Sequence, residues 1–516
     1  VYFCPSLSTP SVLTISSNQQ LLKSFVLQLY QFSHFSLTEH FVKSLMTSSD
    51  PSISDKVLNR LPVREDEPCG IDCFGDDRDS LNDLAKYYNN AHLSDVNLLL
   101  GDQMFPSHRL ILAKGSEVFD RMLSQRWNGE DKEIEELLLE CHSNGFQDIS
   151  IVEDPSSVRY FPSFLRFLYC NHVVLHHENV LPILILADKY NVISLKRVCV
   201  EFAISSVIPH TDLKEIFNTW FSYSTKVFHQ KLTDACVDVI APKMHEIIST
   251  PEWEKTWESL DRDQLIELLK SNSLAIKNEF SMWEALLRWL SSPSHSERRG
   301  PTAAPLMSQL IPLIRFSMLS PHEISTVEDS ILAKAHGKIV EPLIGKAYKA
   351  HAVSLTTKAR DCTDLSSLLR NYSDLRWDRR FVLKRDQLER GFDHEIKLTT
   401  RSPTIPIHSW SWTLRLSTQG SFSSTSPTED SLRIFLNAES VDHPRHVEFL
   451  VSFVDDRSVI KSIVGKNQFT KSRYSCELEM GEKISIRELA TSSSKLLKDG
   501  ELHIQITIRP LNGYEV

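Results

Sequence analysis

At 516 residues the chain is long enough for three or four domains, each with its own core. Hydrophobic residues at 41% and charged residues at 24% exclude a wholly disordered chain. A net charge of -10 argues against a nucleic-acid binder, whose ligand calls for a concentrated positive face.

Residues 1–78 open rich in Ser, Thr and Pro, pass through Leu21, Leu22, Phe25, Val26 and Leu29, and end in an acidic stretch around Cys69 and Cys73. This pattern predicts a poorly ordered arm followed by an acidic linker. Cys69 and Cys73 lack a second Cys/His pair at metal-site spacing, so they read as a chance pair. The chain starts at Val1 rather than Met and reads as a fragment, which leaves a leader upstream open. No run approaches the roughly 18 apolar residues of a membrane span. The nine cysteines are odd in number and scattered from Cys4 to Cys476, which favours free thiols in a reducing compartment over a disulfide framework.

From Asp79, the spacing of Leu81, Leu84, Tyr87 and Tyr88 predicts a helix leading into the stretch from Ser94 to Ala113. There Val96, Leu98 and Leu100 alternate with Asn97 and Leu99, and Gly101-Asp102 supplies a turn. Phe105 reopens the apolar pattern, and Leu110, Leu112 and Ala113 begin a helix. Between Gly129 and Asp148, Ile134, Leu137, Leu138 and Cys141 fall at helical spacing within a long acidic connection.

After Ile208 the chain turns helical. Asp261 is placed to cap a helix carrying Leu265, Leu268 and Leu269. Next, Phe280, Trp283, Leu287 and Leu290 form one stripe, with Glu279, Glu284 and Arg288 assigned to water. Trp283 and Trp289 read as core. From about Arg376 the period becomes two. Trp410, Trp412, Leu414 and Leu416 define one strand, and Leu502, Ile504, Ile506 and Ile508 another. Ser431–Asn437, His446–Val454, Ser458–Val464 and Lys483–Leu489 supply further strands, with turns at Asp455-Asp456, Gly465-Lys466 and Gly481-Glu482. An antiparallel sandwich of about 140 residues follows. With 15 glycines and no kelch-like double glycine, a propeller is disfavoured.

No catalytic signature emerges. His245-Glu246 and His322-Glu323 begin like a zinc-protease helix, but Ser249 and Thr326 stand where the second His is needed. A G-x-S-x-G elbow and a P-loop are both missing. His172, His176 and His177 read as a solvated connection rather than a metal site. The sequence therefore predicts no catalytic residues, no metal and no cofactor.

Asp95-Val96, Phe105, His108-Arg109, Leu112-Ala113, Ser116 and Phe119, continued by Phe167, Tyr169, Leu186-Ala187-Asp188, Tyr190, Leu195 and Cys199, resemble a BTB/POZ domain. The segment from Ser259 to Leu290 resembles the BACK domain that commonly follows it. The order of parts, with Ala335-His336-Gly337, Asn371-Tyr372 and Trp377, resembles the BTB/POZ domain-containing protein 17 family, whose tail is similar to a TRAF/MATH sandwich. The resemblance implies an α+β multidomain protein: an α/β BTB/POZ domain over residues 79–207, an all-α BACK domain over 208–352 and an antiparallel TRAF-like β-sandwich over 353–516.

It also implies a non-enzymatic interaction scaffold that dimerises through BTB, with Asp95, His108 and Arg109 at the dimer interface. Asp95 and Arg109 are read both as an interface pair and as an internal pair orienting strand against helix, and His108 as a structural hydrogen-bonder. Many relatives of this type recruit substrates to cullin-3 ubiquitin ligases, which would bring Phe119, Met122, Leu123 and Trp127 to the cullin, although Phe119 reads equally as core. The hydrophobic-x-Glu motif of that surface is one residue too long at Trp127–Glu130 and fits at Ile134-Glu135-Glu136 only if the long connection shifts it. The C-terminal domain would recruit an unidentified protein partner. Neither nucleic acid nor a membrane span is implied, and the cytoplasm is favoured. The alternative is a secreted oligomeric glycoprotein resembling galectin-3-binding protein, for which Asn371-Tyr372-Ser373 is a glycosylation sequon.

Overall fold

The computed structural model describes residues 83–124, 147–299, 303–384, 387, 393–403, 407–417, 431–480, 484, 494–498 and 500–511. The arm over 1–78, the cysteines Cys69 and Cys73, Trp127 and the connection from Gly129 to Phe146 lie outside the described residues. Residues 77–516 form one compact unit.

Strands β1 (Val96–Leu100) and β2 (Gln103–Ser107) make an antiparallel hairpin, and β3 (Gln147–Ile151) joins β1 in parallel on its other side. Val96, Leu98 and Leu100 all point into the core, as the alternation predicts. Gly101 sits at φ +58°, the left-handed turn position that side chains resist. Helices α1 (Arg109–Gly115) and α2 (Glu117–Leu123) follow. Ser116 separates them: its Oγ accepts the Phe119 N–H at 3.1 Å and donates to the Tyr190 carbonyl at 2.6 Å, so one hydroxyl caps α2 and fastens it to the domain. Helices α3 (Phe161–Cys170), α4 (Val180–Lys189) and α5 (Ile193–Phe202) complete the layer.

The sequence predicts a helix before β1, yet only residues 83–85 are helical among those described. Asn89 at φ +48° and Leu93 at φ +61° turn the chain out of helical geometry. Tyr87 and Tyr88 still pack against the core, and the Tyr88 hydroxyl donates to the Pro162 carbonyl at 2.9 Å.

Asp188 on α4 ties this layer to the helical region that follows. Its carboxylate meets His229 Nε2 at 3.0 Å, Lys196 Nζ at 3.4 Å and the Tyr223 hydroxyl. Burial pushes the Asp188 carboxyl up, but the His229 and Tyr223 hydrogen bonds outweigh it and hold the group below the usual range. Beyond it come α6 (Gln230–Ile240), α7 (Met244–Ser249), α8 (Glu254–Ser259) and α9 (Arg262–Lys270). Asp261 caps α9 as predicted, in a full capping box with Gln264.

Helix α10 (Glu279–Ser291) corrects the predicted stripe. Trp283 and Leu290 are buried, but so are Met282, Leu286 and Trp289, while Phe280 and Leu287 are only half-buried. The larger correction is Glu279, assigned to water and in fact fully buried. Its partners arrive from far along the chain. Arg370 Nη1 reaches Oε1 at 2.5 Å, the Arg315 N–H donates to Oε1 at 2.9 Å, and the Tyr372 hydroxyl donates to Oε2 at 2.7 Å. Strand β4 (Ala275–Ile276) pairs in parallel with β5 (Asn371–Tyr372), which brings Arg370 and Tyr372 to the head of α10. The predicted reading failed because a one-dimensional stripe cannot show a partner 91 residues away.

Helices α11 (Gly337–Ala352) and α12 (Leu355–Asp361) lead to two antiparallel sheets sharing one core. One runs β11-β10-β14-β13 with β6 also on β14; the other runs β12-β9-β8-β7. The strands are β6 (Asp378–Lys384), β7 (Asp393–Arg401), β8 (Ser409–Ser417), β9 (Arg433–Ala438), β10 (Arg445–Val454), β11 (Val459–Phe469), β12 (Ser475–Glu477), β13 (Leu497–Lys498) and β14 (Glu501–Pro510). Gly465 is not a turn residue as predicted. It lies inside β11 opposite Phe449, and a Cβ there would fall 2.4 Å from that ring. The turn Gly481-Glu482 and all of the predicted strand Lys483–Leu489 except Ile484 lie outside the described residues.

The second core is bonded to the first. Glu448 on β10 accepts the Leu355 N–H at 3.0 Å, Arg509 donates to the Val353 carbonyl at 2.7 Å, and Asn272 donates to the Asp456 carbonyl at 3.0 Å. Gln505 on β14 accepts the Leu369 N–H at 3.0 Å and donates to the Ser367 carbonyl at 3.1 Å. No described helix is long and apolar enough to cross a membrane.

Burial alone pushes the Glu279 carboxyl up, but Arg370, then Arg315 and Tyr372, outweigh it and hold the group below its ordinary 4.5. A depressed folded-state pKa contributes stability that is present above the unfolded value and lost as pH falls through the folded one. Glu279→Gln, which leaves Arg370 buried and uncompensated, is therefore expected to lose about 3–5 kcal/mol at neutral pH in denaturant unfolding. The gap to wild type should close on acidification below pH 4.5. Exposed Glu284→Gln should stay within about 0.5 kcal/mol of wild type.

Candidate protein-interaction face

The face is built where the chain enters β1 and where β2 turns into α1. The N-terminal residue bracketing α1 is His108, whose side chain does not cap the helix. Asp95, just before β1, does so instead: its Oδ1 accepts the Arg109 N–H at 2.8 Å. Asp95 and Arg109 were expected to pair through their charges; the contact between them here is made by the Arg109 backbone N–H. The Arg109 guanidinium donates to the Leu123 carbonyl at the end of α2.

His108 is buried and fully engaged. Tyr169 accepts the His108 N–H at 3.1 Å and lies 3.0 Å from Nδ1, while Nε2 lies 3.0 Å from the His92 carbonyl. A carbonyl can only accept, so Nε2 carries the proton and the Tyr169 hydroxyl donates to Nδ1. Tyr87 packs edge-on to the same ring at 5.7 Å. Burial pushes the Tyr169 hydroxyl up, against the His108 hydrogen bond.

By holding the His92 carbonyl, His108 fixes the residue beside it. Leu93 is held at φ +61°, a region costly for a bulky side chain, and is 71% exposed. The Ser94 N–H to Ala91 and the Asp95 N–H to the Ser107 carbonyl complete the clamp. Leu110, on the first turn of α1, is 79% exposed. Leu110 and Leu112 both stand in the predicted helix, and only Leu112 of the two is buried. Neither exposed leucine was found as a site residue from the sequence. Backbone strain at Leu93 has no sequence signature, and the short helix α1 leaves its phase ambiguous.

The predicted cullin-facing residues separate. Phe119 is fully buried, stacked on Tyr190 with centroids 4.6 Å apart. Leu123 is buried and Met122 half-buried beside it. Trp127 lies outside the described residues. His172, His176 and His177 are exposed, and among the described residues no group of three or more His, Cys, Asp or Glu is placed to hold a metal ion.

Residues 84–207 match the family model of the BTB/POZ domain, and residues 218–328 match that of BACK, BTB And C-terminal Kelch. The chain carries a BTB/POZ domain followed by a BACK domain. It is similar to BTB/POZ domain-containing protein 17 of Xenopus tropicalis, 22% identical over 54% of this chain and 53% of that protein. The Homo sapiens protein of that name is 24% identical over 57% of this chain and 56% of its own length. Kelch-like protein 7 of Gallus gallus is 24% identical over 54% of this chain and 41% of its own. The chain therefore spans about half the length of the curated relatives it matches. A solved structure, the BTB domain of zebrafish PATZ1, aligns with 26% of this chain and 100% of its own at 20% identity and a TM-score of 0.19. In these terms Leu93, Asp95, His108 and Arg109 all lie in the BTB/POZ domain, and Asp188 joins it to Tyr223 and His229 of BACK.

Tyr169→Phe removes the hydroxyl that satisfies two buried groups of His108. It is expected to lower stability by about 1–3 kcal/mol in thermal or denaturant unfolding, with Tyr88→Phe, at a half-buried hydroxyl, costing less.

Proposed function

We propose that this protein is a non-enzymatic interaction scaffold that self-associates through the BTB face around Leu93, Asp95, His108, Arg109 and Leu110. In this reading the C-terminal TRAF/MATH-like sandwich recruits a protein partner. The observation that carries the reading is Leu93: a strained, exposed leucine whose backbone is held by the buried His108–Tyr169 pair. Strain kept at an exposed apolar residue favours a role in contact with another chain. Self-association would present two sandwiches together and raise avidity through effective concentration.

The cullin-3 adaptor is the specific form of this proposal, favoured by the BTB–BACK order, with Met122 and Leu123 near the contact and Phe119 supporting them from beneath. The cytoplasmic assignment is supported by the free thiols. Cys170, Cys199 and Cys236 are buried, and burial pushes Cys199 and Cys236 up to about 12, which keeps them protonated and unreactive. One observation favours the secreted alternative: Asn371 of the sequon is exposed.

In size-exclusion chromatography with light scattering, wild type should run as a dimer and the Leu93→Glu/Leu110→Glu double variant as a monomer with an unchanged thermal midpoint. A dimer that survives both charges removes this face from the interface. A pull-down with purified cullin-3 amino-terminal domain tests the adaptor form: an intact dimer that retains no cullin-3 rejects it and leaves the scaffold reading standing. Expression through a secretory pathway, followed by enzymatic deglycosylation, should shift the mass at Asn371 only if the alternative holds.

A further inference from the structure

The BACK domain holds a cavity of about 310 Å³ between α7, α8 and α10. It is at the lower end of the range for ligand sites, large enough for one long side chain and the backbone that bears it. Its inner wall is apolar. Ile248 and Trp257 are buried there, and the Trp257 indole N–H is committed to the Ala285 carbonyl at 2.9 Å, so the indole has no free donor to offer the cavity.

The polar wall is rich in acceptors. Ser249 donates its hydroxyl hydrogen to the His245 carbonyl at 2.6 Å, Thr250 to the Glu246 carbonyl at 2.9 Å, and Ser281 to the Asn278 carbonyl at 2.7 Å. With those hydrogens spent, each hydroxyl has only lone pairs left. Glu254 and Glu284 line the same cavity, and neither carboxylate has a hydrogen bond or ion pair among the described residues. The cations of the lining are placed differently. Arg288 donates one guanidinium N–H to the Ile248 carbonyl, while the Lys277 amine is unpaired among the described residues.

We propose that this cavity binds an arginine side chain carried by a partner protein, with an acidic residue next to it in the partner's sequence. The guanidinium supplies the five donors that two carboxylates and three spent hydroxyls lack, in the planar fork that carboxylates accept best. Its aliphatic stem lies against the apolar inner wall. The neighbouring acid meets Lys277, which balances the charge of a lining that carries two carboxylates, one amine and one guanidinium. This surface lies in BACK and is independent of the BTB face proposed for self-association.

Isothermal titration of the full chain with the capped peptide acetyl-Ala-Arg-Glu-amide tests the assignment. Saturable binding is expected at about millimolar Kd, as suits one side chain. Replacing arginine with its neutral isostere citrulline, or using Glu254→Gln/Glu284→Gln protein, should weaken binding about tenfold or more. Both glutamates are exposed, so the double variant should fold, and circular dichroism checks that it does. The proposal is overturned by no saturable binding, by equal binding of the citrulline peptide, or by equal binding to the double variant. Tighter binding of free L-arginine than of the capped peptide overturns the assignment to a protein-borne side chain.

Discussion

One buried carboxylate organises the middle of this protein. Glu279 opens α10, where the positive end of the helix already favours an anion, and it draws Arg315, Arg370 and Tyr372 into one dry cluster. Arg370 also holds the Leu269 and Leu313 carbonyls, and Arg315 holds the Leu368 carbonyl. Three stretches distant in sequence are thereby fixed to one point. Such a pair is not a large net source of stability, because desolvation consumes most of the Coulombic gain. Its effect is specificity: any other packing of these stretches leaves a charge buried alone.

The same economy of contacts recurs at the other joints. Asp188 links BTB to BACK through an imidazole and a phenol, and Glu448 and Gln505 link the helical region to the sandwich through backbone groups. A scaffold needs its parts at a defined spacing, and hydrogen-bonded joints with directional partners set spacing better than apolar contact does. The exposed leucines of the BTB face and the cavity in BACK are therefore carried on a frame with few loose joints among its described residues.

Much of this fold was legible because it follows local rules. The alternation of Val96, Leu98 and Leu100 specified β1, Asp261 marked the start of α9, and the period-two run at Trp410–Leu416 specified β8. The failures have a common cause. Glu279 looked solvated because its partners lie beyond the reach of any helical pattern, and Gly465 looked like a turn because the ring of Phe449 that it makes room for is on another strand. At the candidate face, Asp95, His108 and Arg109 were singled out through the resemblance, since what they do depends on tertiary geometry. Leu93 was missed because a positive φ at leucine is a product of the fold rather than of local preference.

The parallel pairing of β4 with β5 has a consequence for how the chain is made. When Glu279 leaves the ribosome, Arg370 is still 91 residues behind it in the chain. At ordinary elongation rates that is a wait of roughly 5 to 20 seconds. During that interval the nascent BACK helices hold a carboxylate meant for a dry interior with its main counter-charge not yet synthesised. The Glu279 cluster can close only when the start of the next segment arrives, so that step of maturation is timed by translation.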